Sequence, residues 1–165
     1  DVDCGEGRYA RLAALLGCQV VAIDDNESCI EICYAEAKRF SLPILPLVMN
    51  IARPTQADGI DGHGLTSALS RLPCEMVLAL DVIPRLVNES HLSFRQICHT
   101  MATLAQKWLV AEFIAPTSHE AHHGDAEAKP WYTLENFSAE LERHFRSVDH
   151  FPLDTEHHVL LLCAK

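Results

Sequence analysis

The sequence predicts an α/β fold: a three-layer sandwich around a seven-stranded, mostly parallel sheet whose last strand runs antiparallel. Three observations predict it. The first 25 residues, D-V-D-C-G-E-G-R-Y-A-R-L-A-A-L-L-G-C-Q-V-V-A-I-D-D, spell a strand end, a glycine-bearing turn, a helix, a second strand and an acidic tip. Short apolar runs then alternate with helical patterns, with strands near residues 2, 19, 44, 76, 108, 147 and 158. The last two runs flank only the short turn Asp154–His157, the pattern of an antiparallel hairpin.

Taken in order, Gly5 and Gly7 form a turn where backbone can approach a ligand closely. Tyr9–Leu16 has apolar residues at helical spacing, and Gly17 can end that helix. Gln19–Ile23 is an apolar run of strand length, closed at once by Asp24. Such a unit is the nucleotide-binding half of a doubly wound, Rossmann-like fold, with the acid placed to accept hydrogen bonds from ribose hydroxyls. Glu27–Phe40 reads as a helix capped by Asn26, with acids early and Lys38-Arg39 late. Leu42–Met49 reads as a third strand, and Pro43 and Pro46 assign it to a sheet edge or its neighbour. A polar loop, Ala52–Gly64, leads to a short helix at Leu65–Leu72. Met76–Leu80 is a fourth strand ending at Asp81. Phe94–Lys107 reads as a helix, Trp108–Ile114 as strand five and Ala115–Pro130 as a long loop. Thr133–Phe145 reads as a helix with Thr133 as its cap, and Ser147–Leu153 and His158–Cys163 as the closing hairpin.

Composition sets the bounds. At 165 residues one domain, 1–165, is expected, and 48% hydrophobic residues suffice for a core. The net charge is −10 and no Lys/Arg cluster appears, which argues against a direct grip on nucleic acid. Seven cysteines at irregular spacings within apolar runs fit a reducing, cytoplasmic compartment. Cys29 and Cys33 lie one helical turn apart with no second pair nearby, so no metal site is expected. No apolar stretch is long enough to span a bilayer, and no signal peptide is visible. The chain opens inside a strand. The start of strand one and any N-terminal lid are therefore expected to lie outside it, within a larger polypeptide or complex. His119-Glu120-Ala121-His122-His123 formally matches the zincin pattern H-E-x-x-H, but between Pro116 and Gly124 it reads as a solvated loop rather than a helix presenting two ligands.

The opening pattern D-x-D-x-G-x-G, with Asp24 seventeen residues beyond Gly7, departs from the dinucleotide spacing G-x-G-x-x-G. It resembles motif I of class I S-adenosylmethionine (SAM) dependent methyltransferases. Further blocks resemble a bacterial, nodulation-related branch of that family: Leu47-Val48-Met49-Asn50 closing strand three, Val77–Leu86 at strand four, Ala111–Ala115 at strand five, and Tyr132-Thr133-Leu134-Glu135-Asn136-Phe137. The resemblance implies SAM as cofactor, S-adenosylhomocysteine as product, and a small-molecule or glycan-like methyl acceptor. It implies a cofactor-binding set of Asp3, Cys4, Gly5, Gly7, Asp24, Asp25, Asn50, Ile51 and Leu80. Gly5 and Gly7 would line the methionine and ribose side, Asp24 the ribose, and Asn50 and Ile51 the adenine edge. Asp81 is the implied catalytic candidate, with a plain strand-end cap as its other reading; Cys4 also reads as a small core residue. Glu112, inside an apolar strand, reads equally as a site residue or as a buried, hydrogen-bonded carboxylate. His157-His158 reads as a turn.

Three changes depart from the family pattern. Asp3 replaces the first motif glycine, Asn50 replaces an acid, and Pro84-Arg85 replaces a His-His pair. All three fall on the cofactor and substrate rim. They give a second reading: a degenerate pseudo-methyltransferase domain serving as a scaffold or interaction module.

Overall fold

The computed structural model describes residues 1–57, 66–116, 129–155 and 157–165. The chain divides into two compact units, Asp1–Pro73 and Cys74–Lys165.

The first unit contains α1 (Arg8–Leu15), β1 (Val20–Asp24), α2 (Glu27–Arg39), β2 (Ile44–Val48) and α3 (Ala68–Arg71). β1 and β2 pair in parallel, from Val20 opposite Ile44 to Asp24 opposite Val48. β2 pairs with β1 alone among the described strands, which is why it tolerates Pro46. Asn26 caps α2 as expected, its side chain accepting from the N–H groups of Ser28 and Cys29. One buried cluster here joins Cys4, Ala10, Ala22, Ile30 and Cys33, with Val20 and Ile44 packed against them.

The second unit contains β3 (Cys74–Ala79), α4 (Ile83–Asn88), α5 (Phe94–Leu104), β4 (Ala105–Ile114), α6 (Leu134–Leu141), β5 (Ser147–Pro152) and β6 (His158–Ala164). Its sheet has the order β3-β4-β6-β5. β3 and β4 are parallel, whereas β6 runs antiparallel to both β4 and β5, so the expected closing hairpin is present. Leu109, Ala111 and Phe113 bury one face of β4. There Phe94 meets Phe113 edge-on at 6.4 Å and Phe137 at 4.9 Å, and Phe113 stacks on Tyr132 at 5.1 Å. Trp131 and Tyr132 thus join the aromatic packing at the entry to α6.

The expectation of one seven-stranded sheet is corrected. The described residues form six strands, two in one sheet and four in the other. The opening segment does lie along β1: Ile23 donates its N–H to the Asp1 carbonyl at 2.9 Å, and Cys4 donates to the Ile23 carbonyl at 3.0 Å. It pairs only as a single bridge at Val2, because Asp3 turns into the left-handed region at φ 60° and ends the extended run. The helix expected over Phe94–Lys107 stops at Leu104, since Ala105 already pairs with Cys74 in the sheet. The helix expected over Thr133–Phe145 is confined to Leu134–Leu141, with Thr133 as its cap. The short helix expected from Leu65 runs Ala68–Arg71 behind a Ser67 cap. α4 was not legible in advance. Much of the loops at 52–64 and 115–130, including the H-E-x-x-H stretch, lies outside the described residues. Among the described residues no helix is long and apolar enough to cross a membrane.

Candidate functional site

The sequence-predicted residues fall into two sets, one in each unit. In the first unit the structure ties the glycine turn to the tip of β1. Asp24 is 6% exposed. One carboxylate oxygen accepts from the Gly5 N–H at 2.8 Å, and the other accepts from the Asn26 N–H at 2.8 Å. The same side chain therefore fixes the turn and the start of α2. A carboxylate offers about four lone-pair sites, so two remain beyond these bonds.

Next to it, Asp25 is exposed and accepts from the Asn50 side-chain NH₂ at 2.7 Å, while Asn50 Oδ1 accepts from the Ala52 N–H at 2.8 Å. Asn50 thus joins the tip of β1 to the turn after β2. An acid at this position would place a second negative charge against Asp25; the amide supplies a donor instead. Asp3, Asp24 and Asp25 bring carboxylate oxygens within 4.8 Å of one another. That concentrates negative charge on one side of the turn. Ile51 is buried.

The two glycines differ in what surrounds them. Gly5 has φ 51°, and a Cβ built there meets no heavy atom of the described residues within 4 Å beyond its chain neighbours, so this side of the turn is open among them. Gly7 has φ 80°, and a Cβ there would stand 2.5 Å from Cys33 Sγ. Its missing side chain lets α1 and α2 pack. Cys4 is buried beneath the turn, and burial, with Cys33 and Asp24 adding to it, pushes its thiol up to about 12.

In the second unit Leu80 and Asp81 follow the end of β3. Asp81 is exposed and held in the left-handed region at φ 57°. Its backbone N–H donates to Glu112 Oε2 at 3.1 Å. The other oxygen of Glu112 lies 2.7 Å from His158 Nδ1. A carboxylate only accepts, so Nδ1 donates and Nε2 is left as the imidazole's acceptor. Sequence reasoning weighed Glu112 but read His158 as part of a turn. The signal was present: a Glu two residues from the end of one hairpin-neighbour strand and a His at the start of the next. Pro84 occupies the first turn of α4, where its missing N–H costs nothing. Lys129 closes the other end of α4, donating to the Val87 carbonyl at 3.3 Å and to the Asn88 side chain at 2.9 Å.

No family model and no curated protein sequence matches the chain. Solved structures do. Magnesium protoporphyrin IX methyltransferase (ChlM) from Synechocystis PCC 6803, determined with bound S-adenosylhomocysteine, aligns with 100% of this chain and 72% of its own at 15% identity and TM-score 0.65. The fold is a methyltransferase fold. TehB from Haemophilus influenzae aligns over 99% of this chain and 56% of its own at 16% identity and TM-score 0.65. The bifunctional kinase-methyltransferase WbdD aligns over 99% of this chain but only 33% of its own, at 16% identity and TM-score 0.65. At these identities the likeness speaks to the fold, and the residues above must carry the function.

Proposed function

We propose that this chain is a SAM-dependent methyltransferase domain acting on a small-molecule or glycan-like acceptor. The observation that carries the reading is the bond from Gly5 to Asp24 beneath an open turn face, in a chain with a methyltransferase fold. The residues fit such a cofactor. Asp24 keeps acceptor sites for ribose hydroxyls, with Asp25 exposed beside it, and the open side of Gly5 admits a ligand against backbone. Asn50 and Ile51 stand at the turn that would border the adenine. The Asp3–Asp24–Asp25 cluster favours a ligand bearing positive charge, and SAM has both an ammonium and a sulfonium. When bound, SAM supplies an electrophilic methyl group, so the chain's own task is to align an acceptor and exclude water. From the family resemblance, Leu80 is proposed as a further cofactor-binding residue and Asp81 as the catalytic candidate. The blocks around Asn50 and Tyr132–Phe137 support placement in the bacterial nodulation-related branch.

A second reading, a degenerate domain with a scaffold role, is favoured by Asp3. It holds a left-handed conformation more natural to glycine, and its carboxylate reaches toward the ribose side of the turn. Binding measurements separate the two. The enzyme reading expects S-adenosylhomocysteine to raise the Tm of the wild type, and Asp24→Ala to abolish the shift. The scaffold reading expects no shift in the wild type and a shift in Asp3→Gly. A wild type and an Asp3→Gly variant that both fail to bind SAM and its product would remove the enzyme reading.

A further inference from the structure

We propose that the second unit carries a binding site for an organic phosphate monoester, formed by Arg95, Gln96, His99 and His144. These four side chains line a cavity of about 350 Å³ between α5 and the turn that follows α6. Arg95 and His99 are four residues apart on α5 and Gln96 and His99 three apart, so the helical period puts all three on one face. Phe94, Ile97, Cys98 and Met101 are buried and hold that helix to the core. His144 comes from beyond α6. Its N–H donates to the Leu141 carbonyl at 2.9 Å, and Leu141 and Phe145, on either side of it, are buried. The turn so anchored brings the His144 imidazole to 5.9 Å from that of His99, the two planes inclined at 55°.

What these side chains have left to offer is donors. Gln96 Oε1 accepts from Ser93 N–H at 3.0 Å and from Ser93 Oγ at 2.8 Å, which occupies both lone pairs and leaves the NH₂ group. Among the described residues Arg95 makes no ion pair, and neither imidazole has a hydrogen-bond partner. No described carboxylate lines the cavity. Glu140, one turn before His144, is held by Arg143 at 3.4 Å, and Glu142 is exposed. In a chain of net charge −10, an uncompensated guanidinium beside two imidazoles selects an anion, and a metal cation would be repelled by Arg95. The guanidinium fork matches two oxygens of a phosphate, and a protonated imidazole can donate to a third. Small-molecule sites span about 300–1,000 Å³, so a bare phosphate would leave most of this cavity unfilled. The remainder suits an organic group packed against the two rings. Binding here does not depend on the cofactor reading.

NMR of the imidazole Cε1–H groups in the full chain tests the site. The titrants are phenyl phosphate, inorganic phosphate and sodium chloride at matched ionic strength, at about pH 6, where a free histidine side chain is mostly protonated. Phenyl phosphate should shift His99 and His144 saturably, with exposed His91 unmoved. It should bind about ten-fold more tightly than inorganic phosphate, from the added contacts of its ring. Arg95 is exposed, so Arg95→Gln leaves the packing intact and should weaken phenyl phosphate about ten-fold. His144→Phe, which keeps a ring against His99 and removes both nitrogens, should weaken it as well. Chloride shifting the two imidazoles as phenyl phosphate does, or a Kd unchanged in Arg95→Gln, would overturn the site. Inorganic phosphate binding as tightly as phenyl phosphate would overturn the ester assignment.

Discussion

Two glycines in one turn do different work, and substitution should separate them. At Gly7, alanine meets Cys33 Sγ at 2.5 Å and keeps φ at 80°. Left-handed strain of about 1–2 kcal/mol adds to about 1–3 kcal/mol of overpacking, since Cys33 is buried in α2 and its Sγ must shift to clear the added carbon. Gly7→Ala should therefore lose about 2–5 kcal/mol in urea unfolding. At Gly5 the same change meets only the backbone strain, about 1–2 kcal/mol, because among the described residues nothing beyond its chain neighbours lies within 4 Å of the added carbon. Its larger effect should appear in titrations with S-adenosylhomocysteine, as a loss of affinity exceeding that in Gly7→Ala. Equal unfolding losses in the two variants would contradict the packing role of Gly7. The glycine turn and Asp24 were legible in the sequence because their meaning is local: a turn, a helix and a strand tip read in order. The Glu112–His158 bond spans 46 residues and depends on strand register, which residue patterns alone do not fix.

At the scale of elements, legibility followed length and periodicity. α2 and the closing hairpin have clear periods and clear boundaries, so both are present close to where the pattern put them. α4 is only 6 residues long and carries Pro84, and its length gives a period of 3.6 too few repeats to register. α5 shows a different lapse. Ser93-Phe94-Arg95-Gln96 is a capping-box pattern, and the structure forms the box in full: Gln96 N–H donates to Ser93 Oγ, while Ser93 N–H donates to Gln96 Oε1 at 3.0 Å. α5 covers the buried face of the second unit through Phe94, Ile97, Cys98 and Met101, so its first turn matters to the aromatic cluster. Ser93→Ala should cost about 1 kcal/mol, seen as a Tm lower by about 2–4 °C in calorimetry. Ser93→Asp, which retains a cap acceptor beside the helix N-terminus, should recover most of it; a Ser93→Ala protein as stable as wild type would show that packing alone holds the helix.

For the whole molecule, the two units differ in how their backbones are protected. Trp108–Ala111 of β4 pair with β3 on one side and β6 on the other, and Leu109 and Ala111 are at most 1% exposed. Among the described residues β2 pairs on one side only, with Leu45 and Val48 each 55% exposed. Opening β1 and β2 therefore exposes less apolar surface than opening β4, and should require less free energy. Native-state hydrogen exchange should find the slowest amides at Leu109–Ala111 and faster exchange at Val20–Ile23 and Ile44–Leu47. The proposed cofactor cradle belongs to the less protected unit, and this makes exchange a test of function as well as of stability. A ligand that binds only the closed cradle stabilises it by RT ln(1 + [L]/Kd), about 2.7 kcal/mol at a hundred-fold excess over Kd. S-adenosylhomocysteine at that excess should slow the amides of Val20–Ile23 and of Gly5 about 100-fold, provided their opening breaks the Gly5–Asp24 bond. Slowing confined to β4, with no change at Gly5 or β1, would place the ligand elsewhere and undo the assignment of the turn.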